Sequence, residues 1–74
     1  MIKYANLHGN SGIDAYELGE DHLVVKFKDG GAYLYDDELP GPLHLHQMKA
    51  KAVAGRGLNT YISQVIKKNF KRKL

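Results

Sequence analysis

Four histidines, two serines, a run of three acids and a crowd of C-terminal cations are the side chains in this sequence whose types and spacing invite chemistry. His44 and His46 stand two apart. On a helix such residues face different ways, and in an extended chain two histidines supply only half of a metal site. Ser11 and Ser63 sit in no recognisable nucleophile elbow, and nucleophilic catalysis needs a base and an orienting group in contact. Asp36-Asp37-Glu38 reads as solvated or capping acids at the end of a strand. Gly55-Arg56-Gly57 is too short for a phosphate-cradling loop of the Walker kind. The chain has no cysteine, hence no thiolate ligand and no disulfide. The expectation is a module that is not an enzyme, holds no metal or cofactor, and takes no small-molecule substrate.

The cations carry the stronger signal. The formal charge of +3 is the sum of two unlike halves. Residues 1–38 hold all eight acids and three bases, a net −5, whereas residues 39–74 hold eight bases and no acid, a net +8. Screening limits exposed charges to about 8 Å at physiological salt, so the acidic half cannot cancel the basic half everywhere. Lys67, Lys68, Lys71 and Arg72, followed by Lys73, crowd the C-terminal end, and Lys49, Lys51 and Arg56 stand ready to widen the patch. Cations at a helix C-terminus also complement the helix dipole, by about 0.3–1 kcal/mol each. As a binding footprint they suit a polyanion, RNA first among them. An acidic protein partner is the alternative.

Tyr33 and Tyr35 offer a second kind of contact, because tyrosines on an open sheet face stack unpaired bases. As core residues they would only keep their hydroxyls wet. The register of one hairpin separates these readings. A two-residue loop at Asp29-Gly30 places both tyrosines with Val24, Lys26 and Lys28. An odd-length loop, with Gly30 or Gly31 as a left-handed bulge residue, places them with Leu23, Val25 and Phe27. The additional glycine favours the bulge, but both registers remain open.

The elements that must position these groups follow from period and punctuation. Partial alternation over 12–18, clear alternation over 22–28 and a short run over 31–36 predict three antiparallel strands in a meander. Pro42 suits the first position of a helix over about 42–54, with Leu45, Met48 and Ala52 inward, Val53 beside them and Gly55 as C-cap. Asn59 is the expected N-cap of a second helix over about 59–71, striped by Leu58, Ile62, Val65, Ile66 and Phe70. Both helices should cover one face of the sheet, an α+β fold. Residues 1–10 read as irregular, 11–70 as the single domain and 71–74 as a basic tail.

The order Ser11-x-Ile13, Tyr16, Leu23-x-Val25-x-Phe27, a glycine turn and Tyr33-Leu34-Tyr35, followed by Gly55, Asn59 and Ile62, resembles the KTSC domain. That domain is named for the C-terminal region of some lysyl-tRNA synthetases and also occurs as a stand-alone small bacterial or phage protein. The resemblance covers about residues 11–70. It implies inward-pointing tyrosines, no catalysis and no cofactor, and RNA binding is the role usually suggested for the family. Leu34 stands where the family often has a polar residue, with Val24 at the equivalent place on the neighbouring strand. The departure would leave an apolar pair on the outer face, available to a protein partner.

A chain of 74 residues fits one domain, and 43% apolar with 26% charged residues argues against disorder. No uninterrupted apolar run approaches the ~20 residues that cross a bilayer. The opening residues have neither the apolar stretch nor the cleavage site of a leader, so a cytoplasmic location without a membrane is expected.

Overall fold

A computed structural model describes residues 1–74. Five strands, β1 (Ile2–Lys3), β2 (Ile13–Leu18), β3 (His22–Phe27), β4 (Ala32–Asp36) and β5 (Arg72–Lys73), form one antiparallel sheet in the order β1-β2-β3-β4-β5. Between β4 and β5 run α1 (Pro42–Ala54), α2 (Leu58–Tyr61) and a π-helical segment (Ile62–Ile66) that continues α2. The fold is α+β, as expected, with five strands rather than three. The two additional strands come from the segments read as irregular (1–10) and as a basic tail (71–74). Each is only two residues long, too short for alternation to show.

The central hairpin settles the tyrosine register. The N–H of Phe27 donates to Gly31 O at 2.7 Å and that of Gly30 to Phe27 O at 3.0 Å, so the loop is Lys28-Asp29-Gly30. Gly30 turns the chain at φ 99°, the bulge conformation that glycine adopts without steric cost. Val25 then pairs with Tyr33 and Leu23 with Tyr35, putting both tyrosines on the inner face.

The inner face carries the core. Leu23, Val25 and Tyr35 meet Leu45, Met48 and Ala52 from α1, and Leu58, Ile62 and Ile66 from the second helical stretch. The expected first helix is found at its expected bounds, with Pro42 leading and Gly55 capping it in the left-handed region at φ 77°. Val53, however, is 64% exposed and belongs to the outer side of α1.

The second helix departs from expectation at both ends. Its N-cap is Gly57, at φ 81°, and Asn59 lies inside the helix with its side chain against the 6–12 loop. After Tyr61 the turns widen: the N–H of Lys67 donates to Ile62 O, five residues back, at 2.5 Å. The wider turn keeps Leu58, Ile62 and Ile66 on the sheet and rotates Val65 out, to 46% exposure. At Lys67 the backbone reverses, with φ 56° and ψ −117° in a residue other than glycine, and the helix stops five residues short of the expected 71. Phe70 then folds onto Tyr33 and Tyr35, with ring centroids 4.8 and 6.5 Å away. Lys71 N–H donates to Leu34 O at 2.7 Å and Leu74 N–H to Ala32 O at 2.8 Å, which registers β5 on β4. No helix is long and apolar enough to cross a membrane.

Candidate nucleic-acid interface

The fold scatters the cations that the sequence groups. Lys71 donates from Nζ to the Glu38 carboxylate. That hydrogen bond, aided by the negative charge of Glu38, Asp36 and Asp37, holds the Lys71 ammonium above its ordinary range. Asp36 is itself fixed: its Oδ1 accepts from the N–H groups of Leu39 and Glu38, both at 2.9 Å. The bond from Leu39 is the largest influence and draws its carboxyl below the ordinary range; burial opposes it, and the bond from Glu38 and the charges of Lys71 and His22 add to it. Arg72 lies on the outer sheet face opposite Leu34, in a hollow shared with Asp21, Asp36 and Asp37. Lys49 reaches the other end of the sheet, donating to the carbonyls of Gly19 at 2.6 Å and Glu20 at 2.9 Å. Lys71 and Lys49 are therefore bonded to the acidic half of the chain or its backbone, and Arg72 faces acids without pairing with them. A single footprint of all seven cations does not form.

Two groups of cations remain outside these contacts. Lys67 and Lys68, with Lys73, rim a groove of about 470 Å³. The three form no ion pair. Phe27, Tyr33 and Phe70 supply the aromatic wall, and Asp29, the one acid lining it, accepts from Gly31 N–H at 3.1 Å. Tyr33 is half-buried between its neighbours, edge-on to Phe27 at 5.7 Å and tilted on Phe70 at 4.8 Å. Lys73 Nζ sits 5.9 Å above its ring, a cation–π contact. Tyr35 is 1% exposed, so it is core and stacks on no ligand base. Its burial, with Tyr33 adding to it, pushes the phenol up to about 12.

Lys51 and Arg56 line a second, larger groove of about 730 Å³ on the far side of the π-helical segment's start. Lys51 Nζ lies 5.2 Å above the Tyr61 ring, and the Tyr61 hydroxyl is 2.7 Å from His44 Nδ1. The loop from Asn6 to Ser11 forms the opposite wall, held by a bond from Ser11 N–H to Asn6 Oδ1 at 3.0 Å. Three residues of the resemblance, Ser11, Gly55 and Asn59, meet along this groove.

Sequence reasoning missed the partnership of Phe27, Tyr33 and Phe70 with the lysines, because it depends on the chain reversal at Lys67. The bulged hairpin register was the available signal for placing Phe27 with Tyr33. The Asn6–Ser11 wall had no periodic signal at all.

The outer sheet face is less open than the Val24–Leu34 pair suggests. These residues do pair directly across β3 and β4, but Val24 is only 6% exposed. No family model matches the chain, and no curated protein or solved structure matches it significantly.

Proposed function

We propose that the protein is a non-enzymatic binding module for single-stranded nucleic acid, RNA in the first place, and that Lys67, Lys68 and Lys73 hold its phosphates beside Tyr33 and Phe70. One observation carries this reading: three lysines without ion-pair partners rim an aromatic groove. Cations that track a backbone and aromatic faces that accept bases are the two parts of sequence-tolerant single-strand binding. The groove is too small for a duplex and suits an unpaired base. The likeness to the KTSC domain, with its suggested RNA role, supports the same reading. Lys51 and Arg56 stand apart from this groove, Lys71 and Lys49 have partners within the chain, and Arg72 lies on the outer sheet face.

The alternative, a protein-interaction module working through the outer sheet face, has less support because Val24 is covered.

The test is fluorescence anisotropy with a labelled oligouridine over a salt series. On single strands the slope of log affinity against log salt is about −0.7 per neutralised phosphate. Lys67→Ala and Lys68→Ala should each flatten that slope by about 0.7, whereas Lys71→Ala should leave it nearly unchanged. Slopes that ignore Lys67 and Lys68 overturn the assignment. A salt-tolerant complex with a single protein, and no binding of oligouridine, would favour the alternative.

A further inference from the structure

We propose that the groove between the Asn6–Ser11 loop and the Gly55-Arg56-Gly57 turn is a separate small-molecule site, and that its ligand is a sugar phosphate. Its volume, about 730 Å³, lies within the range of roughly 300–1,000 Å³ typical of small-ligand sites. It shares no lining residue with the lysine–aromatic groove.

The charge of the ligand follows from what lines the groove. The chain has eight acids and none of them lies here, while Lys51 and Arg56 both do. An anion is the complement. Arg56 sits between two glycines that are both left-handed, so the turn is tight and its exposed guanidinium is free for two parallel hydrogen bonds to one anion. The backbone N–H groups of Arg56 and Gly57 donate to no acceptor in the chain. Lys51 lies against the same turn, its Cδ 3.8 Å from where a Cβ on Gly57 would stand. Two cations and two unpaired N–H groups around one short turn suit a phosphate, whose oxygens accept several charge-assisted bonds at once.

The body of the ligand follows from the remaining surface. Only Tyr4, Tyr61 and Val65 are hydrophobic, so an apolar or purely aromatic body finds little to cover. The carboxamides of Asn10, Asn59 and Gln64 have no hydrogen-bond partner within the chain, and each both donates and accepts. Hydroxyls do the same, so a polyhydroxylated body matches them. Part of the wall is already set: Tyr61 is tied to His44, and the Asn6 carboxamide accepts from the Ser11 N–H.

The experiment is an amide-resolved NMR titration of the full chain with ribose 5-phosphate, ribose and inorganic phosphate at low salt, with calorimetry for affinity. Ribose 5-phosphate should move the Arg56, Gly57 and Asn59 amides saturably. Ribose and inorganic phosphate should each bind at least about tenfold more weakly, each having lost one half of the recognition. Arg56→Gln should weaken ribose 5-phosphate by about tenfold or more, and Lys51→Gln should do so independently. Lys67→Ala should leave it unchanged. Absence of saturable shifts at the Arg56 turn overturns the site. Equal affinity for ribose overturns the phosphate, equal affinity for inorganic phosphate overturns the sugar, and indifference to both substitutions overturns the roles of Arg56 and Lys51.

Discussion

The hydroxyl of Tyr4 accepts a hydrogen bond from the backbone N–H of Leu58 at 3.3 Å, joining residues 54 positions apart in the chain. Tyr4 is 2% exposed and Leu58 fully buried. The first residues thus cap the second helical stretch from outside it, satisfying one of the N–H groups that a helix start leaves without a partner.

Removing only the hydroxyl isolates that bond. Tyr4→Phe leaves the Leu58 N–H buried without an acceptor, an expected loss of about 1–3 kcal/mol in urea unfolding. Tyr4→Ala also empties part of the core and should lose about 3–5 kcal/mol. Equal stability of Tyr4→Phe and the native chain would show that the bond is replaced by water.

Gly55 and Gly30 give a paired test of conformation against contact. Both have positive φ, 77° and 99°. A Cβ on Gly30 would meet nothing within 4 Å, whereas one on Gly55 would stand 2.6 Å from the Ala5 Cβ. Gly30→Ala should therefore cost only the left-handed strain, about 1–2 kcal/mol. Gly55→Ala should cost more. It should also loosen the bond from Leu7 N–H to Gly55 O, now 2.8 Å, visible as faster amide exchange at Leu7. Equal losses in the two variants would mean that the 1–10 segment yields freely.

Tyr35 sets an alkaline limit. Its phenol is held at about 12 in the fold, above the ordinary value of 10.0. Below pH 10 the hydroxyl is protonated in both folded and unfolded chains, and the stability it contributes is fully present. Between pH 10 and 12 the unfolded chain loses the proton first, so stability falls as pH rises through that window. An absorbance titration of the phenolates should show one of the five tyrosines ionising late, and Tyr35→Phe should remove that late step. A Tyr35 phenol ionising at its ordinary value of 10.0 in the folded protein would contradict the burial.

The sequence made α1 readable because its marks are local: Pro42 starts it, Gly55 ends it, and Leu45, Met48 and Ala52 recur at helical spacing. The central strands were equally plain from alternation. What happens after Tyr61 was not readable, since Lys67 and Lys68 are good helix formers and neither glycine nor proline marks the reversal. The break is imposed from a distance, by Phe70 meeting Tyr33 and Tyr35 and by β5 pairing with β4. The candidate site inherits this division. The lysines were visible as a cluster, but which of them face a groove depends on the reversal. Lys71 went to Glu38 and Arg72 to the outer face, while Lys67 and Lys68 joined the aromatics.

The two shortest strands also bear on how copies of this protein meet. Every open sheet edge is a template for pairing with another chain. Here the outermost strands are β1 and β5, two residues each, and their side chains include Lys3, Arg72 and Lys73. A neighbour approaching either edge finds a ladder too short to extend and a like charge on its own corresponding edge. The longer, more apolar β2 and β4 lie one place inside, each covered over part of its edge by the short outer strand. The residues read from sequence as an irregular beginning and a basic tail thus keep both outer edges of the sheet short and positively charged.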